Sequence, residues 1–287
     1  MATAKLGIIG GSGFYDMEGL TGVEEVVVET PFGDPSDAYR VGMLEGLEVA
    51  FLPRHGRGHL ISPTNLNSKA NIWGFKSLGV DAIVSVSAVG SLKEEIRPLD
   101  VVVPDQFFDR TRNRATSFFD VPGLVVHMGM AEPFCPALSA LVADAAEGAG
   151  ASVHRGGAYV CMEGPQFSTV TESEVFRGWG MSVIGMTAVP EVRLAREAEL
   201  HYATFAMATD YDVWKGEPVT VAMVIANLGK NVEMAKSAVR ALAANLGEME
   251  KVCGCCNALE NSIISDTGLM PDAVKKRYEL LIGKYVE

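Results

Sequence analysis

Short apolar runs alternate with longer amphipathic stretches along most of the chain. Apolar runs bounded by glycine, proline or polar residues are typical of buried strands, and apolar positions spaced three and four apart are typical of helices. Strands are predicted at Leu6–Ile9, Val23–Thr30, Tyr39–Leu44, Leu47–Pro53, Ala82–Ala88, Val101–Pro104, Ala158–Met162, Val183–Met186 and Tyr202–Thr209. Helices are predicted at Pro63–Leu78, Pro136–Glu147, Thr171–Trp179, Val189–Ala198, Val221–Leu246 and Asp272–Tyr285. The alternation indicates an α/β fold, and since no linker or repeat divides the chain, we expect a single domain over residues 1–287.

Composition limits the classes of partner. The chain has 287 residues, of which 48% are hydrophobic, and a formal net charge of -12. This charge argues against nucleic acid and against an anionic membrane as a partner, and it means that a phosphate site needs its own local cations. We expect a cytoplasmic protein, because no basic segment precedes a long apolar stretch and no apolar run reaches the length of a membrane span.

The five cysteines include the run "CGCC" at residues 253–256. An odd number of cysteines in a cytoplasmic protein argues against a disulfide framework. A metal site would need a further well-spaced ligand, and no histidine lies near this run in the sequence, so no metal is expected. A redox-sensitive element is the alternative to ordinary free thiols.

A glycine-rich segment, "KLGIIGGSGFYD", opens the chain at residues 5–16. The apolar run predicts a buried strand, and the glycines after it can turn sharply and expose backbone N–H groups. These amides and the hydroxyl of Ser12 suit an anion. The segment matches neither the dinucleotide pattern G-x-G-x-x-G nor the ATP-binding pattern G-x-x-x-x-G-K-[ST]. A plain tight turn is the alternative.

Two further segments favour an anion site. "FLPRHGRGH", at residues 51–59, follows a predicted strand and concentrates Arg54, His55, Arg57 and His59. Arginine suits a tetrahedral oxyanion because its donors form a planar fork. "SVSAVGSL", at residues 85–92, offers the hydroxyl of Ser87 and the amide of Ala88. The alternatives are a solvated loop and a strand that ends in a small-residue turn.

The segment "MATDYDVW", at residues 207–214, ends a predicted strand with two carboxylates, Asp210 and Asp212. Spacing of i, i+2 in a strand directs both side chains to one face. Two close carboxylates repel, which raises the pKa of one of them, and that group can then donate a proton near neutral pH. An Asx turn that caps the strand is the alternative.

Nine segments taken together resemble the methylthioadenosine phosphorylase family, within the trimeric purine nucleoside phosphorylases. They are "GIIGGSGFY", "TPFG", "PRHGRGH", "NIWGFKSLG", "SAVGSL", "MAEPFCP", "EGPQFST", "GMTAVPEV" and "MATDYDVW", in that order. The resemblance covers residues 5 to about 236. It implies a nucleoside-phosphorylase-like fold, with a central mixed twisted sheet or barrel surrounded by helices. It also implies that no cofactor is needed and that inorganic phosphate is the co-substrate, bound by Ser12, Arg54, His55, Ser87, Ala88 and Thr187.

The same resemblance implies how a nucleoside is held. Met186 would lie under the ribose, Phe167 and Ser168 at the purine, and Asp210 and Asp212 at its N7 and N6 edge. Thr220 can cap a helix whose residues Val221, Val224 and Ile225 share one face, and the family pattern puts this face at the ribose 5′ group, although such a face can also be plain core. His127 would reach a neighbouring subunit's site, which implies a homotrimer, although some relatives form hexamers. Gly185 stands where many relatives have asparagine.

The implied reaction is the phosphorolysis of S-methyl-5'-thioadenosine to adenine and 5-methylthioribose 1-phosphate, a pentosyl transfer of purine and methionine salvage. A phosphorylase for 6-oxopurine nucleosides, such as methylthioinosine or inosine, is the alternative. A nucleoside-binding protein without turnover is a third possibility, but such a protein needs no phosphate cleft and the run "PRHGRGH" argues against it.

Overall fold

A computed structural model describes residues 4–11, 17–216, 219–249 and 253–286. The strands are β1 (Leu6–Gly10), β2 (Thr21–Val26), β3 (Tyr39–Leu44), β4 (Leu47–Pro53), β5 (Ala82–Ser91), β6 (Val101–Val103), β7 (Gln106–Arg110), β8 (Val153–Arg155), β9 (Ala158–Met162), β10 (Val183–Gly185) and β11 (His201–Asp210). The α-helices are α1 (Ser68–Ser77), α2 (Pro136–Gly148), α3 (Val170–Gly178), α4 (Ala188–Glu197), α5 (Val221–Asn245) and α6 (Asp272–Ile282). Within these residues the eleven strands form one mixed sheet.

The sheet branches at β5. One edge of β5 pairs in parallel with β1 from Ala82 to Ser85, and the end of the same edge pairs antiparallel with β10 at Gly90 and Ser91. β11 pairs in parallel along the other edge. In the described part of the chain, no strand pairs with the first edge between Ser85 and Gly90, so this stretch of β5 is open to other contacts.

Alternate residues of the central strands pack into two apolar cores, because successive side chains of a strand point to opposite faces of the sheet. Ile9 of β1 and Ile83 of β5 belong to the core that α1 and α4 cover. Ile8 and Val84 belong to the core that α2 and α5 cover. The predicted fold class, a mixed sheet surrounded by helices, is confirmed, while the single domain over residues 1–287 stays a prediction. Among the described residues, no helix is long and apolar enough to cross a bilayer.

Polar strands and element ends account for the differences from the predicted elements. β7 and β8 were missed because polar or charged residues occupy most of their positions, which hides the apolar pattern. The first predicted helix begins as a separate 3₁₀ turn at Pro63–Asn65, and α1 begins only at Ser68. Asn67 caps α1, since its side chain accepts a hydrogen bond from the amide of Ala70 at 3.2 Å.

The cysteine run near the C-terminus lies against the start of β11. No histidine is near this run in the sequence, but in the folded chain His201 lies 3.2 Å from the Sγ atom of Cys253. Cys135, which precedes α2, lies in the same cluster. These residues are distant in sequence, and the fold brings them together at the start of β11.

We expect Glu197, at the end of α4, to make stability depend on pH. Its carboxylate accepts hydrogen bonds from the hydroxyl of Ser117 at 2.7 Å and the amide of Phe118 at 2.6 Å, and burial raises its pKa to about 7. The folded state therefore binds more protons than the unfolded state between pH 4.5 and 7, so the free energy of unfolding falls as pH rises through this window. The shift corresponds to about 3 kcal/mol.

Glu197→Gln should remove the decline in stability between pH 4.5 and 7, because an amide does not titrate. The unfolding midpoint, measured against pH, tests this. Glu174→Gln, on the exposed side of α3, is the control and should keep it. An unchanged pH dependence in Glu197→Gln would show that the carboxyl group does not titrate in this window.

Candidate active site

A cavity of about 710 Å³ opens beside the unpaired stretch of β5. β5, β10, β11 and the first half of α5 contribute its walls. Twelve of the residues predicted to bind phosphate or the nucleoside line it: Arg54, His55, Ser87, Ala88, Phe167, Met186, Thr187, Asp210, Asp212, Val221, Val224 and Ile225. Segments far apart in the chain are therefore brought to one concave site, which is where small molecules bind in α/β proteins.

Arg54 lies at the base of this cavity in a buried ion pair. Its side chain is 2% exposed, and its Nε donates to a carboxylate oxygen of Glu191 at 2.6 Å. Nη2 donates to the second carboxylate oxygen of Glu191 and to the hydroxyl of Ser85. Nη1 carries two hydrogens and, among the described residues, makes one hydrogen bond, to the carbonyl of Val86 at 3.0 Å. Glu191 was not singled out from the sequence, where it reads as an ordinary helix residue.

The loop at residues 51–59 brings less positive charge to the cavity than the sequence predicts. Arg57 is half-exposed and pairs with Glu25 and Asp37, outside the cavity. Burial and the neighbouring Arg54 lower the pKa of His55 to about 4, so its ring is neutral near pH 7. The Nδ1 of His55 lies 2.8 Å from the carbonyl oxygen of Ile61 and must carry the hydrogen there, which leaves a lone pair on Nε2.

Neutral donors supply the rest of the candidate anion site. The Oγ of Ser87 is buried and makes no hydrogen bond within the described part of the chain, although it lines the cavity. The hydroxyl of Thr187 also lines the cavity and lies 3.3 Å from the hydroxyl of Tyr159. Ser12, the first predicted phosphate ligand, lies outside the described residues. Gly11, the last described residue before Ser12, lines the cavity.

Asp210 and Asp212 are both buried and both line the cavity. The reason given for their pairing, alternation along a strand, is wrong, because β11 ends at Asp210 and Asp212 lies in a turn with φ of 49°. The amide of Asp212 donates to Asp210 at 2.8 Å, and the hydroxyl of Thr209 donates to the other oxygen of Asp210 at 2.7 Å. The pKa of Asp210 is raised, as expected, but burial is the largest cause and the charge of Asp212 is a lesser one.

The residues predicted at the purine divide into two groups. Phe167 lines the cavity and is 41% exposed, so its ring is open to a ligand. Ser168 does not line the cavity; its hydroxyl donates to the carboxylate of Asp212, at 2.6 and 2.7 Å from the two oxygens. Ser168 therefore orients Asp212.

Met186, predicted under a ribose, is held by an arginine that sequence analysis missed. The Nη1 of Arg114 donates to the carbonyls of Met186 and Val189, both at 2.6 Å. Nη2 donates to the carbonyls of Met162 and Glu163, at the end of β9. This buried arginine ties the loop after β10 to β9, and only its long-range contacts distinguish it from any other arginine in the chain.

The first half of α5 forms an apolar wall. The helix begins at Val221, and the hydroxyl of Thr220 caps it by accepting from the amide of Met223, as predicted. Val221 and Ile225 are 62% and 63% exposed and line the cavity with Val224, Leu228 and Val232. The alternative that this face is plain core is therefore wrong; the core face of α5 lies in its second half, at Ala235, Val239 and Leu242.

His127 and Gly185, the two remaining residues from the sequence analysis, differ in whether they line the cavity. His127 is exposed, and it does not line the cavity of its own chain. Gly185 lines the cavity, and a Cβ atom built there would lie 2.0 Å from the hydroxyl oxygen of Tyr159. Tyr159 thus fills the space that a side chain at position 185 would need.

Comparison with known proteins agrees with this site. The family model described as "Phosphorylase superfamily" matches residues 5–244. The S-methyl-5'-thioadenosine phosphorylase of Koribacter versatilis is 54% identical over 284 residues, which cover 98% of this chain and 97% of that protein. The protein of the same name from Thermosynechococcus vestitus is 52% identical over 289 residues, which cover 99% and 100%.

Solved structures are also similar. A methylthioadenosine phosphorylase from an antarctic soil metagenomic library superposes with a TM-score of 0.94 at 41% identity, over 98% of this chain and 99% of that one. A mutant adenosine/methylthioadenosine phosphorylase from Schistosoma mansoni, in complex with methylthioadenosine, gives a TM-score of 0.82 at 38% identity, over 90% and 96%. The chain belongs to the phosphorylase superfamily and, within it, to the family of the S-methyl-5'-thioadenosine phosphorylases.

We expect Ser87 and Ser85, two serines on β5, to respond differently to substitution. The Ser87 hydroxyl makes no hydrogen bond within the described residues, so Ser87→Ala should leave the unfolding midpoint almost unchanged. It should weaken the binding of inorganic phosphate about ten-fold or more, since a hydrogen bond to a charged group is lost. Ser85 donates to Glu191 and accepts from Arg54, so Ser85→Ala should lower the unfolding midpoint. Calorimetric titration measures the affinity for phosphate, and thermal unfolding measures the midpoint. Full phosphate affinity in Ser87→Ala would exclude this hydroxyl from the anion site.

Proposed function

We propose that this chain catalyses the phosphorolysis of S-methyl-5'-thioadenosine, with inorganic phosphate as co-substrate, to adenine and 5-methylthioribose 1-phosphate. One observation carries the proposal: one cavity joins hydrogen-bond donors that have no partner among the described residues, a buried pair of carboxylates and an apolar wall. These three features correspond to phosphate, a purine base and a methylthio group.

Phosphate would bind beside the unpaired stretch of β5. Ser87 and Thr187 offer hydroxyl donors, Arg54 offers its second Nη1 hydrogen, and we assign the amide of Ala88 and the hydroxyl of Ser12 to the same anion. The lone pair on Nε2 of His55 can accept the hydroxyl hydrogen of a phosphate group. Holding phosphate beside C1′ of the ribose would make its attack effectively unimolecular, which accounts for a large share of the rate enhancement.

The base would leave with the help of Asp210. As the N-glycosidic bond breaks, negative charge gathers on the purine, and a protonated Asp210 can donate to N7. A raised pKa favours this protonated form, and positioned proton transfer contributes roughly 10²–10⁴-fold to the rate. Asp212, oriented by Ser168, would accept a hydrogen bond from the 6-amino group, while Phe167 and Met186 would contact the purine and the ribose.

The carboxylate of Asp212 also favours adenine over the alternative bases. It repels a 6-oxo group, and a site built for a hydrogen bond rejects an analogue that leaves a buried group unpaired. The names of the relatives support the same choice, and one solved relative holds methylthioadenosine. Several expectations stay predictions. They are a homotrimer in which His127 contributes to a neighbouring subunit's site, a hexamer as its alternative, a cytoplasmic location and independence of any cofactor.

The direct test is the release of free base from adenosine, methylthioadenosine, inosine and methylthioinosine, each with and without phosphate. We expect phosphate-dependent release, fastest with methylthioadenosine. Preference for the inosine compounds would overturn the assignment of the base, and binding without turnover would overturn the assignment as an enzyme.

We expect Asp210→Ala to lower kcat for methylthioadenosine at least about 100-fold, because the group that protonates the base is lost. Phosphate binding and the folded structure should be retained, which calorimetry and circular dichroism measure. Asp210→Asn is the matched variant of similar shape, and it should lose a comparable amount. Turnover close to that of the unsubstituted protein in both variants would remove Asp210 from the mechanism.

The apolar wall of α5 should set the preference at the 5′ position. It offers no polar side chain among Val221, Val224, Ile225, Leu228 and Val232, so a 5′-hydroxyl group would lack a partner there. We expect methylthioadenosine to exceed adenosine in kcat/KM by about 10- to 200-fold.

Val221→His adds a donor at an exposed position of this wall and should narrow that ratio, whereas Val221→Leu, the control, should keep it. Equal kcat/KM values for the two nucleosides in the unsubstituted protein would mean that this wall does not face the 5′ group.

A further inference from the structure

Four potential metal ligands converge at the start of β11. The Sγ atoms of Cys135, Cys253 and Cys255 and an imidazole nitrogen of His201 all lie within 4.8 Å of one another. The Nδ1 of His201 is 3.2 Å from the sulfurs of Cys135 and Cys253, and these two sulfurs are 3.5 Å apart. Three of the four residues are buried and Cys253 is half-buried, so the cluster is largely shielded from solvent.

These distances fit a tetrahedral zinc site. With Zn–S bonds of about 2.3 Å and Zn–N bonds of about 2.0–2.1 Å, ligand atoms at the corners of a tetrahedron lie about 3.5–3.8 Å apart. The three separations given above are a few tenths of an ångström shorter, and the remaining pairs lie within 4.8 Å. A disulfide would need two sulfurs about 2.05 Å apart, and it would give the imidazole nitrogen no role.

The surroundings of the cluster suit bound thiolates. The amide of Leu138 donates to the sulfur of Cys135 at 3.4 Å, where Cys135 caps the start of α2. The guanidinium of Arg196 donates to the sulfur of Cys255 at 3.5 Å. Three thiolates around a divalent zinc ion leave one negative charge, which the arginine can offset.

The second nitrogen of His201 also has a partner. Its Nε2 lies 3.3 Å from the sulfur of Cys256. If Nδ1 binds the metal, Nε2 carries the hydrogen and donates it to this sulfur. Ligating histidines ordinarily fix their orientation through such an outer hydrogen bond.

We propose that Cys135, His201, Cys253 and Cys255 bind one zinc ion. Four protein ligands leave no open position for water or substrate, so the site is structural. It lies at the opposite end of β11 from Asp210, and the ten residues of this strand span about 30 Å. The ion would tie the segment after α5 to the start of α2 and the start of β11.

The test begins with the unsubstituted chain, purified without oxygen and with its thiols reduced. After incubation with Zn²⁺ and gel filtration, elemental analysis should find one zinc ion per chain. Co²⁺ in its place should give the thiolate charge-transfer and intense visible absorption of a tetrahedral cobalt–thiolate site. Only traces of zinc, or an octahedral cobalt spectrum, would overturn the proposal. So would a disulfide between Cys135 and Cys253 that persists in the reduced preparation.

Variants then test the ligand set. Cys253→Ser and Cys255→Ser should each bind zinc at least about ten-fold more weakly, because a thiolate ligand is lost. Cys256→Ser is the matched control in the same run: a serine hydroxyl can still accept the hydrogen bond from Nε2 of His201, so this variant should keep the full zinc content. Removal of the zinc should lower the unfolding midpoint of the unsubstituted chain and of Cys256→Ser, but not that of Cys253→Ser. Equal loss of zinc in Cys256→Ser and Cys253→Ser would show that the ligand set is wrong.

Discussion

The buried ion pair between Arg54 and Glu191 is the interaction on which the arrangement of the site depends. Both side chains are 2% exposed, and burial of two charges is costly unless their remaining hydrogen-bonding groups are satisfied. Here the partners come from separate elements. The guanidinium donates to carbonyls at the end of β1 and within β5, and the carboxylate accepts from Ser85 of β5 and Tyr202 of β11. The pair therefore joins β1, β4, β5, β11 and α4 around one point, and that point is the base of the cavity.

This pairing also determines the charge that a bound anion would meet. The charge of Arg54 is balanced by Glu191, His55 is neutral because its pKa is about 4, and the chain as a whole is acidic. Recognition of phosphate at this site would then depend on directed hydrogen bonds more than on net charge. Such bonds act at short range in a site shielded from water, so their contribution is only weakly screened by salt.

Features that local sequence can encode were predicted well. The strands of the central sheet, the start of α5 and its cap at Thr220 follow from apolar runs and a single capping residue, and the observed elements agree to within a few residues. The family resemblance predicted twelve residues that line one cavity, although they come from several segments far apart in the chain.

Features that depend on contacts between distant segments were not predicted. Glu191, Arg114 and His201 are ordinary residues in sequence, and each takes its role in a set of contacts that includes a partner more than sixty positions away. The charge of the loop around Arg54 was misjudged for the same reason, because its compensating carboxylate lies on another element. Asp212 joins Asp210 through a backbone hydrogen bond in a turn, a geometry that strand alternation does not describe.

The glycine at position 185 leaves room for the side chain of Tyr159. Tyr159 is fully buried, and burial raises the pKa of its hydroxyl to about 12, so the group keeps its hydrogen near neutral pH. Its oxygen accepts from the amide of Thr187 at 3.5 Å, and its hydrogen can be donated to the hydroxyl oxygen of Thr187, 3.3 Å away. The hydroxyl hydrogen of Thr187, a residue that lines the cavity, is then available to another acceptor. A side chain at position 185 would displace the ring of Tyr159 and break its hydrogen bonds to Thr187. Gly185 and Tyr159 therefore position Thr187 together.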